Sequence, residues 1–208
     1  MILALLAGMA WAELPPPSLE QHLADHTWTR ARAELDAGNA EQALMTLSAF
    51  QTHVTDAPNL HALAARAHVA LGDRDAAKQE CATAVASDPN YTLAWFSLAE
   101  LYSQDAQWSE ADTAWENVQR LVPNGADADL APRRRAEAAA YRGEAEAFET
   151  HLREAIRRGF NLTDVLASPE WRAFYADPAL QDSVRKMMTV YAGPEALERL
   201  ERPLRSIP

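Results

Sequence analysis

Thr92–Gly125 reads TLAWFSLAELYSQDAQWSEADTAWENVQRLVPNG. Trp95, Leu98, Ala99 and Tyr102 stand three or four residues apart, so they share one face of a helix. Ala111 and Trp115 do the same further on, one turn apart. Pro123 then forbids the second helix from continuing. The stretch reads as two helices joined by a short turn.

The pattern recurs outward from there. Asp88-Pro89-Asn90 precedes Val122-Pro123-Asn124 by 34 residues, Ala77 and Ala43 precede Ala111 by successive steps of 34, and Gly38 precedes Gly72 by the same interval. A fixed period of this length signals stacked supersecondary units. Pro58–Tyr91 keeps Ala64-Ala65, Gly72-Asp73, Ala77, Cys81, Ala84 and Pro89, with His61 and His68 at the positions of Trp95 and Tyr102. Ala24–Ala57 keeps Ala31, Gly38-Asn39, Ala43, Leu47 and Phe50, but Thr55 replaces the closing proline. The recurring types have physical reasons. Small residues let crossing helices approach, and a large residue one turn later fills the gap to the next unit. Glycine allows φ > 0 after the first helix. One pair cannot hide its apolar face, so several stack.

The motif Trp95-x2-Leu98-Ala99-x2-Tyr102, Ala111-x3-Trp115, Pro123 resembles the tetratricopeptide-repeat signature, with Ala99 in place of the usual glycine. The resemblance runs over about residues 24–190 and implies an all-α fold, a superhelical solenoid of antiparallel helix pairs. Repeats are expected over 24–57, 58–91 and 92–125, preceded by a Pro-rich lead and helix start over 13–23. A divergent pair is expected over 132–158, with Pro132 in its first turn, a turn at Gly143 and a packing stripe of Ala147-Phe148, Leu152 and Ala155-Ile156. There the step from Gly143 to Ala147 reads one residue short. Residues 161–208 resemble the end-of-array segment of bacterial members. Ser168-Pro169 and Asp177-Pro178 each place a capping residue before a helix-opening proline. Trp171, Phe174, Tyr175 and Leu180 are expected to cover the last repeat.

Composition agrees with a folded helical chain and narrows the ligand class. Alanine is abundant and glycine scarce, and net charge is −11. That charge argues against nucleic acid, which needs clustered Lys and Arg. Met1–Ala12, MILALLAGMAWA, has no charged side chain and ends in a small-x-small pattern, which reads as an export signal. It is too short to span a bilayer. The expectation is an exported, periplasmic bacterial protein without membrane insertion. The lone Cys81 falls at a packing position and is expected to be buried.

The resemblance further implies that first helices line a groove for another protein or peptide. Carried over, the groove positions are Trp28, Arg32 and Leu35; Asn59, Ala62, Arg66 and Val69; and Leu93, Phe96, Glu100 and Ser103. Arg133, Glu137 and Tyr141 extend them into the fourth pair. Trp28 and Phe96 are the expected anchors, since aromatics dominate interface energetics. The family's chaperone-tail clamp is absent, because Trp28 and Arg32 stand where it needs Lys and Asn. The expected role is a non-enzymatic binding scaffold with no cofactor, no catalytic residue and no metal. The alternative is a metal-dependent or other hydrolase using His22 and His26, one helical turn apart, or a site in the tail. His22 is followed by Leu23 where a zinc-protease motif requires Glu.

Overall fold

Among the described residues four helix pairs follow one another, and a three-helix cap closes them. The structure, a computed structural model, describes residues 18–51, 57–125, 127–163 and 168–201. The export segment, the Pro15–Pro17 run and Thr55 lie outside these residues. Among the described residues all regular structure is helical. The pairs are α1 (Leu19–Asp36) with α2 (Ala40–Gln51), α3 (Pro58–Ala70) with α4 (Arg74–Ser87), α5 (Thr92–Gln104) with α6 (Trp108–Leu121), and α7 (Leu130–Tyr141) with α8 (Ala145–Arg157). The cap is α9 (Pro169–Ala176), α10 (Gln181–Tyr191) and α11 (Pro194–Glu201).

Each pair turns in the same way. Gly38, Gly72 and Gly143 hold φ of 81°, 81° and 73°. The amides after them reach back five residues: Asn39 N–H donates to Glu34 O, Asp73 N–H to His68 O, and Glu144 N–H to Ala139 O, each at 2.9 Å. This geometry satisfies helix-end carbonyls and suits glycine, which has no Cβ to clash. The third pair makes the same turn without glycine. Ala106 holds φ 56° there, and Gln107 N–H donates to Tyr102 O at 2.9 Å.

The turn also fixes the register of the fourth pair. Ala43, Ala77 and Ala111 each follow their turn residue by five positions, and each donates its N–H to a carbonyl four residues back. Phe148 does this after Gly143, donating to Glu144 O at 2.9 Å, and is fully buried. The packing residue is therefore Phe148, not Ala147, and the pair is not a residue short. The divergence lies upstream, where Gly143 follows Ala106 by 37 positions instead of 34. A benzyl group stands where other pairs carry a methyl, and the aromatic cap packs onto it: Phe148 lies 5.7 Å from Trp171 and 6.4 Å from Phe174.

Two further expectations shift locally. Helix α7 begins at Leu130, so Pro132 sits two residues inside it, buried but still where a missing N–H costs nothing. Pro178 lies in a turn rather than a helix: Asp177 Oδ1 accepts from Ala179 N–H at 2.8 Å, and α10 starts only at Gln181.

Three buried clusters run through the stack, and each bridges neighbouring pairs. The first joins Ala31, Ala43 and Leu47 to Leu60, Leu63 and Ala64. The second joins Ala77, Cys81 and Ala84 to Leu98, Ala99, Ala111 and Trp115, and reaches Ala131. The third joins Ala136, Ala139, Phe148 and Leu152 to Trp171, Phe174, Leu180, Val184 and Met187. Alanine dominates the crossing points, which brings backbones close, while Leu47, Trp115 and Leu152 fill the space one turn on. Burial pushes the Cys81 thiol up to about 12, so it stays protonated. Arginines fasten the pairs from outside. Arg135 Nε and Arg142 Nη2 both donate to Asp112, at 2.7 and 3.1 Å, and Arg142 Nη1 donates to Trp108 O at 3.0 Å. Arg158 Nη1 donates to Pro123 O at 2.9 Å.

Candidate functional site

The first helices of the pairs carry two clefts that share a wall. The first lies between α3 and α5, with a volume of about 340 Å³. Val69, Ala70, Phe96 and Leu101 give it an apolar floor, and Arg66, Ser97, Glu100 and Gln104 edge it. Phe96 is 36% exposed and held from beneath: its ring meets Trp115 edge to face at 5.3 Å. Trp115 is fixed in turn, its Nε1–H donating to Ser103 Oγ at 3.2 Å, and the Ser103 hydroxyl donates to Ala99 O at 2.7 Å. A fully buried indole thus presents an aromatic ring to the cleft with little freedom to move.

The second cleft, about 400 Å³, lies where α5, the start of α6, α7 and α9 meet. Trp108 and Tyr141 stack there almost parallel, 4.1 Å apart at 7°, and Tyr141 meets Phe174 edge to face at 5.0 Å. Phe160 and Trp171 form another side, 6.1 Å apart. Arg134 is held between two carboxylates, Glu137 at 2.9 Å and Glu100 at 3.6 Å. Glu100 and Gln104 line both clefts, so the two are continuous.

Of the groove positions named from the sequence, the structure brings Arg66, Val69, Phe96 and Glu100 together in the first cleft, and Ser103 joins Glu100 in the second. Arg133, Glu137 and Tyr141 line the second as well. Trp28 and Leu35 are half-buried against the first core cluster, and the Arg32 guanidinium lies 5.0 Å over the Trp28 ring. Arg32 and Arg66 both approach Asp36, at 3.6 and 3.7 Å. Trp28 is thus shared between core and a cation, and lines neither cleft. Asn59 and Leu93 also line neither, although Leu93 is 51% exposed. Ala62 is buried at 4%, so it offers nothing to a partner.

Sequence reasoning missed Gln104, Trp108, Phe160, Ser168 and Trp171 as cleft residues. Gln104 and Trp108 stand at the end of α5 and the start of α6, outside the repeat's groove positions, and the cap residues enter only because α7 and α9 meet beside α5. His22 and His26 are exposed on α1, and among the described residues no three His, Cys, Asp or Glu gather to hold a metal ion. Among the described residues no helix is long and apolar enough to cross a membrane.

The fold that carries these clefts is a tetratricopeptide-repeat solenoid. MamA from Desulfovibrio magneticus RS-1 superimposes over 88% of this chain and 96% of its own, with a TM-score of 0.64 at 16% identity. The pilF protein of Pseudomonas aeruginosa superimposes over 89% of this chain and 86% of its own, with a TM-score of 0.59 at 15% identity. MamA AMB-1 gives a TM-score of 0.59 at 16% identity, over 91% of this chain and 93% of that one. At these identities the likeness establishes the fold. No family model matches the sequence, and no curated protein sequence matches it significantly.

Proposed function

We propose that the chain is a non-enzymatic protein–protein interaction scaffold that holds a peptide segment along the face built by its first helices. The observation that carries this reading is the α3–α5 cleft, where Phe96 stands partly in solvent on a rigid Trp115 support, with Val69 beside it at 49% exposure. A preorganised aromatic ring in an apolar recess is what an interface anchor needs, since little side-chain entropy remains to be lost on binding. Arg66 and Glu100 at the edges can fix the orientation of a bound backbone or side chain. Among the described residues no cluster of His, Cys, Asp or Glu supports the metal-dependent hydrolase alternative.

The uncharged Met1–Ala12 segment with its small-x-small end supports a setting outside the cytoplasm, in the bacterial cell envelope. Affinity capture from an envelope fraction tests both statements. The full chain should retain a partner, and mass analysis of the recovered bait should give an N-terminus at Glu13. Phe96→Ala should weaken capture about tenfold or more while leaving the helical circular dichroism unchanged. Equal capture by Phe96→Ala would remove the α3–α5 cleft from the binding surface, and an intact Met1 would remove the export reading.

A further inference from the structure

We propose that the second cleft reads one acidic side chain, Asp or Glu, of the peptide lying in the first, and that Arg133 is the group that meets its carboxylate. This rests on the peptide-binding reading above and adds a chemical requirement to it.

Two arginines stand side by side in this cleft, and their surroundings differ. Arg134 has its countercharges built in, Glu137 and Glu100. Arg133 is half-buried, with its guanidinium 5.3 Å over the Phe160 ring, and among the described residues no carboxylate pairs with it. Its Nε is shut off from solvent and donates to nothing, as is true of Arg134 and Arg142, so the difference lies in the missing carboxylate. The Nη1 and Nη2 of Arg133 are not shut off in this way and make no hydrogen bond among the described residues, so an incoming acceptor can reach them. The guanidinium fork suits a carboxylate, which can accept two of its N–H groups at once. The ring beneath it and the aromatic walls lower the local dielectric, which strengthens such a pair relative to one in open water.

The register supports the same assignment. Counting back from the left-handed turn residue, Arg133 occupies on α7 the position that Phe96 occupies on α5 and Trp28 on α1. Ala62 holds it on α3, and Ala62 and Trp28 line neither cleft, so Arg133 is the counterpart of Phe96 alone, with a charge in place of an aromatic ring. Because Glu100 and Gln104 border both clefts, a peptide passing over Phe96 leads on towards Arg133. That continuity argues for a side chain of an internal segment rather than a chain end. The Trp108–Tyr141 stack and Trp171 leave room beside the carboxylate for an apolar neighbour. Glu100 and Glu137 would repel a second acid, and the chain's net charge of −11 disfavours a polyacidic partner, so the requirement is for one acid and not a run.

The test is a selection from a random peptide library, N-acetylated and C-terminally amidated, on the full-length chain and on Arg133→Gln and Arg133→Lys. The wild type should enrich peptides with a single Asp or Glu next to an apolar or aromatic residue. In a resynthesised peptide, exchanging that acid for its amide should weaken binding about 10–100-fold. Arg133→Gln should bind acid and amide peptides equally, and Arg133→Lys should keep part of the preference. Thermal melts confirm that the variants are folded. Wild-type selection of acid-free peptides, or an unchanged acid preference in Arg133→Gln, would each overturn the proposal while leaving peptide binding intact. Retention of no peptide by the wild type would remove the peptide-binding reading together with it.

Discussion

Ala106 takes the place where the other three pairs use glycine, and it takes the same left-handed backbone, φ 56°. An L-residue with a Cβ is disfavoured there by roughly 1–2 kcal/mol. The strain persists because the turn is over-determined: Gln107 N–H reaches Tyr102 O, and Lys78 and Arg74 from the previous pair clamp Asp105 at 2.9 and 3.1 Å. Lys78 is the main reason that the Asp105 carboxyl titrates below the usual range. Ala106→Gly should therefore stabilise the protein, by about 0.5–1 kcal/mol once the extra freedom of glycine in the unfolded chain is subtracted. Chemical denaturation followed by circular dichroism measures this, and an unchanged or lower midpoint would show that the turn carries no strain. The sequence hides the feature. Gly38 and Gly72 announce the period, but an alanine 34 residues later looks like any other alanine, and only the backbone reveals that it has replaced a glycine.

At the scale of elements, the helices and their pairing were legible because turn, small residue and large residue recur in step. The groove was legible in part. Arg66, Val69, Phe96 and Glu100 share a cleft because they occupy equivalent faces of α3 and α5, which periodicity can count. Ala62 is buried instead, because counting cannot tell how closely neighbouring elements cover a small side chain. The second cleft depends on how the cap docks, and no period predicts that. Beside the shared apolar cluster, Glu149 of α8 accepts from Lys186 Nζ at 2.8 Å and Ser183 Oγ at 2.9 Å of α10. Lys186 first, then Ser183, hold the Glu149 carboxyl below its ordinary value of 4.5 against the opposing effect of burial. A depressed carboxylate contributes stability that is complete above the ordinary value and is lost as pH falls through the folded one. Hydrogen exchange should therefore show α10 amides losing protection as pH drops below 4.5, at a higher pH than α3 and α4. Glu149→Gln should loosen α10 already at neutral pH and flatten that part of the profile. Identical acid profiles for cap and array would show that the ion pair does not set cap docking.

Across the whole molecule, each pair relies on the next. In such an array stability is close to a sum of unit and neighbour terms. Trp115 is the largest fully buried side chain among the described residues and lies in the cluster that links α4, α5, α6 and α7. Trp115→Ala should cost about 3–5 kcal/mol. It should also break the stack at its middle, so that α5 and α6 exchange early while α8 and α10 keep their protection. One concerted loss everywhere would show that the array unfolds as a single unit. The same variant leaves Phe96 unsupported, and so should weaken peptide capture even under conditions where the fold survives.

The tight turns at Gly38, Gly72, Ala106 and Gly143 close loops of only a few residues, and the main tertiary contacts join helices that are neighbours in the chain. Little chain has to be searched before a rewarding contact is found, so folding belongs with the fast helical proteins, on the order of microseconds to milliseconds. A polypeptide threaded through a narrow passage could rebuild itself hairpin by hairpin as it emerged, with no need to wait for its far end.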